Sequence, residues 1–198
     1  MESEKTKKPS EMNPEDLPDV RAFQDEFTRG FLQSTEETRP GYYPFLSGTG
    51  KYEMDFPEGG IIGERAYSLK KDQFESYLIG IQSSLFESSI NITYTEEKEG
   101  NEQITLDMLR RSTNEDLKFK KEELQNTRLY TAPLNEYGDI GFVSYIQNLN
   151  GIGGIQLTYV SECVKENEKC SKNIEKQKLV ILDWIKSIHF IKKENESE

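Results

Sequence analysis

Apolar and polar positions along this chain change period more than once, and each change separates helical from extended segments. From Lys172 to Phe190, the residues Ile174, Ile181, Ile185 and Ile188 recur at helical spacing. Leu182 and Trp184 widen that stripe, while Lys176, Lys178, Asp183 and Lys186 mostly fill the other face. The spacing predicts one amphipathic helix over the whole stretch. Between about residues 50 and 160 the runs are short and alternate, which predicts strands. Lys51–Phe56 places Tyr52, Met54 and Phe56 on one side; Tyr67–Leu69, Glu75–Gln82 and Ser89–Tyr94 follow. Gly141–Asn148 and Ile155–Val160 flank Asn150-Gly151-Ile152-Gly153-Gly154, the chemistry of a hairpin turn. Ile104 to Leu117 returns to the helical period, with Ile104, Met108 and Leu109 sharing a face. Phe119, Leu124, Leu129 and Tyr130 point to one or two more strands of unreadable register, and Pro133 to Asp139 reads as a loop.

The beginning of the chain has a different character. Residues 1–18, MESEKTKKPSEMNPEDLP, hold almost no large apolar group, so their burial cannot offset the entropy of ordering them. They read as a flexible tether. Asp19 is placed to N-cap a helix running to Phe31, because Val20, Phe23, Phe27 and Phe31 fall three and four residues apart. That face should dock on the domain. Tyr42-Tyr43-Pro44-Phe45 then leads into Ser47-Gly48-Thr49-Gly50, a turn by composition. The expected organisation is a tether over 1–18, one α+β domain over 19–191 and a disordered tail over 192–198. Its architecture is a mainly antiparallel sheet covered by helices, an α/β/α sandwich.

Charge narrows the partners. A formal net charge of −11 disfavours nucleic acid and anionic lipid, which both repel an acidic surface. No apolar run reaches the roughly 18 residues that cross a bilayer. There is no cleavable signal sequence among these residues.

Candidate chemistry is sparse. Cys163 and Cys170 bracket a polar loop before the terminal helix, and two thiols without an adjacent histidine do not make a zinc site. Their spacing is not that of a redox Cys-x-x-Cys. A disulfide pinning the loop is the favoured reading over two free thiols, and it would place the protein in an oxidising compartment. His189, the single histidine, sits between Ile188 and Phe190 and reads as structural. Gly151-Ile152-Gly153-Gly154 lacks the residues of a phosphate loop, and Ser47-Gly48-Thr49-Gly50 lacks the frame of a nucleophile elbow. The acidic pairs Glu96-Glu97 and Glu122-Glu123 read as solvated faces, and no cofactor or metal is expected. Tyr42, Tyr43, Phe45 and Tyr52 form an aromatic cluster with two readings: a partner-binding surface, or packing of the N-terminal helix onto the sheet.

The frame FTRGFLQSTEETRPGYYPFLSGTGKYEMDFPEGG, from Phe27 to Gly60, resembles a family of Bacillus-type extracytoplasmic lipoproteins. Its strand ending in Phe-Pro-Glu-Gly and the terminal DWIKSIHF are also similar to the Mog1/PsbP-like fold. The likeness covers most of Phe27 to Ile191. It implies a non-enzymatic accessory or binding module at the cell surface, with a protein or cell-envelope partner and no nucleic acid. Membrane attachment would come only through a lipid anchor on a cysteine preceding Glu2. The alternative is a small-ligand carrier with a pocket between sheet and helix.

Overall fold

The structure, a computed structural model, describes residues 7–96, 102–113, 115–135, 139–164 and 168–192. The parts of the expected tether and tail at residues 1–6 and 193–198 lie outside them. Pro9–Glu11 and Pro14–Asp16 are single-turn 3-10 helices, with Pro9 buried and Leu17 packed on the core. The helix expected over 19–31 is instead two short ones, α1 (Arg21–Gln24) and α2 (Glu26–Arg29). Asp25 separates them. Its backbone is extended, and its Oδ1 accepts from the Thr28 amide at 2.8 Å and the Thr28 hydroxyl at 2.5 Å. An aspartate that can cap a new helix competes with continuing the old one. Val20, and not Asp19, caps α1. The aromatic stripe still docks: Phe23 is buried, and Phe27 and Phe31 pack against the core.

Tyr42–Leu46 is a strand, β1, where the sequence pattern predicts only a lead-in to the turn. It pairs with β2 (Tyr52–Pro57) across the Ser47–Gly50 turn. β3 (Gly60–Ile62) has no counterpart in the sequence reading, since three residues show no period. β4 (Ser68–Lys70) lies one residue beyond its expected run, and β5 (Phe74–Gln82) and β6 (Phe86–Thr95) follow theirs with longer ends. Next come α3 (Glu102–Thr113), β7 (Lys120–Glu123), β8 (Thr127–Leu134), β9 (Ile140–Asn148) and β10 (Gly154–Cys163). β8 takes in Pro133 and Leu134, which the sequence reading gave to a loop. The terminal helix is α4 (Glu168–Ser171), then α5 (Ile174–Ile185), and its last residues form β11 (His189–Phe190). Ser187 ends α5 by donating its hydroxyl to the Trp184 carbonyl at 2.7 Å while accepting from the Asp55 amide at 3.2 Å. Phe190 then aligns with Tyr52.

Two sheets result. One has the order β1-β2-β11; the other runs β3-β5-β6-β10-β9-β8-β7, with β4 also on β5. Every pairing among the described residues is antiparallel. Alternation places Tyr77, Ile79, Ile90, Ile92, Ile155 and Leu157 on one face of the larger sheet. The small sheet, α1, α2 and α5 cover that face to form the main core. At the β8–β9 end, the opposite face carries Tyr130, Ala132, Val143 and Tyr145 under Leu106 and Leu109 of α3. β9 is therefore covered on both faces, which explains why GFVSYI reads as a nearly continuous apolar run. The expected antiparallel sheet covered by helices is what the chain forms.

The face expected for α3 from Ile104, Met108 and Leu109 holds at Leu109 and needs correcting at the other two. Ile104 and Met108 are 59% and 56% exposed, whereas Thr105, Leu106, Leu109 and Thr113 are buried. Both sets satisfy helical spacing, and contact with β8 and β9 selects the second.

Candidate functional site

The terminal helix is held at both ends. Cys163, at the end of β10, and Cys170, in α4, are bonded with their Cα atoms 5.7 Å apart, and no free cysteine remains. In the chain-entropy account so short a loop contributes on the order of 2–3 kcal/mol. At the far end, the Trp184 indole N–H donates to the Asp55 carbonyl at 2.7 Å, and its ring meets Tyr159 edge-on with centroids 5.6 Å apart. Arg39 clamps the neighbouring corner. It pairs with Asp55 at 2.7 Å and Asp183 at 2.5 Å, and its guanidinium lies 4.0 Å from the centre of the Tyr42 ring. Burial raises the Tyr42 hydroxyl above its ordinary range against the opposing pull of Arg39.

These fixtures leave a cleft of about 410 Å³ between α5, the ends of β1 and β2, and the β5–β6 hairpin. Tyr159, Phe86 and Trp184 form its deep part, and the half-buried Tyr42 stands at its edge. Burial pushes the Tyr159 hydroxyl up to about 12, against a lowering hydrogen bond with Ser88. The hairpin wall is braced internally. Ser83 Oγ donates to the Phe86 carbonyl and accepts from the Phe86 amide, both at 3.0 Å, and Ser88 Oγ donates to Ser161 Oγ at 2.9 Å. Three lining groups differ: the side chains of Glu58, Gln82 and Gln177 have no hydrogen-bond or ion-pair partner among the described residues. Among the described residues no lysine, arginine or histidine lines the cleft. Such a wall suits a polar ligand without negative charge.

A larger cleft, about 500 Å³, opens at the other end of the same strands, near Lys51, Tyr94, Glu96 and Asn148. Its polar groups are mostly engaged with one another. Lys51 faces Asp72 and Glu96 at 3.4 and 3.5 Å, Asn150 Nδ2 donates to Asn126 at 2.6 Å, and Asn148 Nδ2 donates to the Ile152 carbonyl. Gly153, at φ +104°, brings that turn against the Tyr94 ring, 2.9 Å from where a Cβ would sit.

The four aromatic residues proposed as a binding surface are divided by the fold. Tyr43 meets Phe23 edge-on at 4.7 Å. Phe45 stacks between Phe31 and Phe56 at 5.6 and 5.7 Å, and Tyr52 shares a 2.9 Å hydroxyl contact with Tyr77. These three are buried and join the N-terminal helices to the small sheet. Tyr42 alone reaches the cleft. His189 is exposed, with Nε2 3.3 Å from Glu53 and Nδ1 2.8 Å from the Ser187 carbonyl. No group of three potential metal-binding side chains occurs among the described residues.

One arrangement had no sequence signal. Glu75 is fully buried and its carboxylate binds the turn between β1 and β2. Oε1 accepts from the Gly48 amide at 2.9 Å and Tyr67 hydroxyl at 3.0 Å; Oε2 faces the Thr49 amide and hydroxyl, both at 3.3 Å. A Cβ on Gly48 would collide with the Tyr67 hydroxyl. Burial, reinforced by Glu75, raises the Tyr67 pKa. The likewise unsignalled Gln82 and Gln177 are polar residues on exposed stretches, and only the convergence of α5 with the hairpin brings them to one cavity.

Comparison with known proteins agrees with this architecture. A family model described as "Putative lipoprotein YvcA" matches residues 18–189. A protein of the same description from Bacillus subtilis (strain 168) is 33% identical over 204 residues, spanning 93% of this chain and 82% of the relative.

Proposed function

The chain belongs to the YvcA lipoprotein family, and from that premise we propose that it is a non-enzymatic binding module held at the outer surface of the cell membrane by a lipid anchor. The relative's description as a lipoprotein supports the location, and a disulfide between Cys163 and Cys170 suits an oxidising compartment. The observation that carries the binding role is the cleft beneath α5. It combines aromatic side chains with three polar side chains, exposed at Glu58 and Gln82 and half-buried at Gln177, that have no protein partner among the described residues, and its volume falls in the range of small-molecule sites. The partner in this reading is a component of the cell envelope. A net charge of −11, with no basic residue among the described lining of the cleft, disfavours nucleic acid.

The test is a titration of isotope-labelled protein with a soluble extract of the host envelope, followed through backbone amide shifts. Saturable shifts confined to the cleft, with the extract recovered chemically unchanged, support the reading. No shifts, or turnover of an extract component, overturn it.

The same cleft favours a second reading, a carrier that takes up a small ligand between sheet and helix. A carrier releases its ligand reversibly and is stabilised by mass action, so its melting temperature should rise with ligand concentration.

A further inference from the structure

We propose that the cleft beneath α5 binds a neutral, hydroxyl-rich saccharide. This rests on the cleft being the binding site, and it adds the chemistry of what binds. The Gln82 and Gln177 amides and the Glu58 carboxylate face the cavity without a partner among the described residues. An apolar ligand would remove them from water and give nothing back, leaving polar groups desolvated and unpaired. An anionic ligand would face Glu58 and would meet no lysine, arginine or histidine among the described lining residues. A quaternary ammonium ion has use for Tyr42 and Glu58 but offers no hydrogen bond to either amide.

A sugar satisfies every member of the set. Its hydroxyls donate and accept, matching amides that do both and a carboxylate that accepts. Its C–H faces are apolar and carry slight positive charge, matching the electron-rich face of an aromatic ring such as Tyr42 at the cleft edge. The backbone at Gly41 and Gly59 keeps that edge low, since neither residue projects a side chain into it. Arg39, fixed by Asp55 and Asp183, holds one face of Tyr42, so the ring is set before any ligand arrives. Preorganisation of this kind lowers the ordering entropy paid on binding.

Trp184 is the only tryptophan and lines the cleft, so its emission reports occupancy. The whole chain is titrated with neutral tetrasaccharides of glucose and N-acetylglucosamine, a sulfated tetrasaccharide, and choline. A neutral tetrasaccharide should give a saturable change in Trp184 emission at or below roughly 1 mM, the weak end of specific recognition. Gln82→Ala and Gln177→Ala should each weaken it about tenfold with an unchanged melting temperature, the loss expected for one hydrogen bond. Glu58→Gln should retain binding, because a neutral ligand needs an acceptor there and not a charge.

Binding of choline or the sulfated sugar in place of the neutral ones overturns the saccharide assignment while leaving the cleft as a binding site. Neutral binding that ignores both glutamine substitutions also overturns it. Silence from every probe removes the saccharide, and silence toward the envelope extract as well removes the cleft.

Discussion

The indole N–H of Trp184 donates to the backbone carbonyl of Asp55 at 2.7 Å, joining the terminal helix to the middle of β2 across 129 positions of sequence. With Ser187 accepting from the Asp55 amide, one residue of the small sheet anchors α5 through both of its backbone groups. Trp184→Ala removes a large buried ring and should destabilise the fold by about 3–5 kcal/mol. Trp184→Phe keeps most of the volume and loses the donor, and should cost about 1–3 kcal/mol. Urea denaturation separates the two; equal losses would show that the indole hydrogen bond, and not ring packing, holds the helix.

Glu75 should be as hard to replace as a core aromatic. Its carboxylate accepts from Gly48, Tyr67 and Thr49, and Glu75→Gln turns one acceptor into a donor facing other donors. A loss of about 2–3 kcal/mol is expected from charge-assisted bonds of this type. A denaturant midpoint within error of the parent protein would show that the turn does not depend on the charge.

Stability should fall at alkaline pH. Burial raises the Tyr159 pKa to about 12, with the Ser88 hydrogen bond opposing, and the unfolded value is near 10.0. Because the folded state holds this proton more tightly, the contribution is complete below pH 10 and disappears as pH rises through about 12. Tyr94 and Tyr130, also raised to about 12 chiefly by burial, act in the same direction. Denaturant titrations from pH 9 to 12, read beside tyrosinate absorbance, should show unfolding and ionisation together. Tyr159→Phe should make the decline shallower; an unchanged slope would assign it elsewhere.

The N-terminal segments differ in weight. Deletion through Pro18 removes the contacts of Pro9 and Leu17, and the expected loss is about 1–2 kcal/mol. Deletion through Leu32 also removes buried Ala22, Phe23 and Leu32 and the packed rings of Phe27 and Phe31. At roughly 1.5–3 kcal/mol for each large side chain, that deletion should approach the whole stability of the domain. Matching urea midpoints for the two truncations would place the aromatic stripe outside the core.

How far these features were legible depends on the range of the interaction behind each. The 3.6 and 2.0 periods and turn chemistry are local, so the sequence alone determined the antiparallel β-rich core, the hairpin around Asn150-Gly151, the burial of Trp184 and the docking of Phe23. The cysteine pairing was also readable, because a seven-residue separation in one polar loop already confines both thiols. Three other features came only from tertiary structure. The exposed Ile104 and Met108 and the buried Leu106 and Leu109 are equally regular along α3, and only β8 and β9 choose between them. Tyr42 and Tyr43 are adjacent in sequence, yet strand geometry sends one to the cleft and the other to the core. Glu58, Gln82 and Gln177 belong to a turn, a strand end and a helix, and no local pattern relates them. Their convergence follows from packing α5 beside the small sheet on one face of the larger sheet, a contact whose energy is non-local and so leaves no period in the chain.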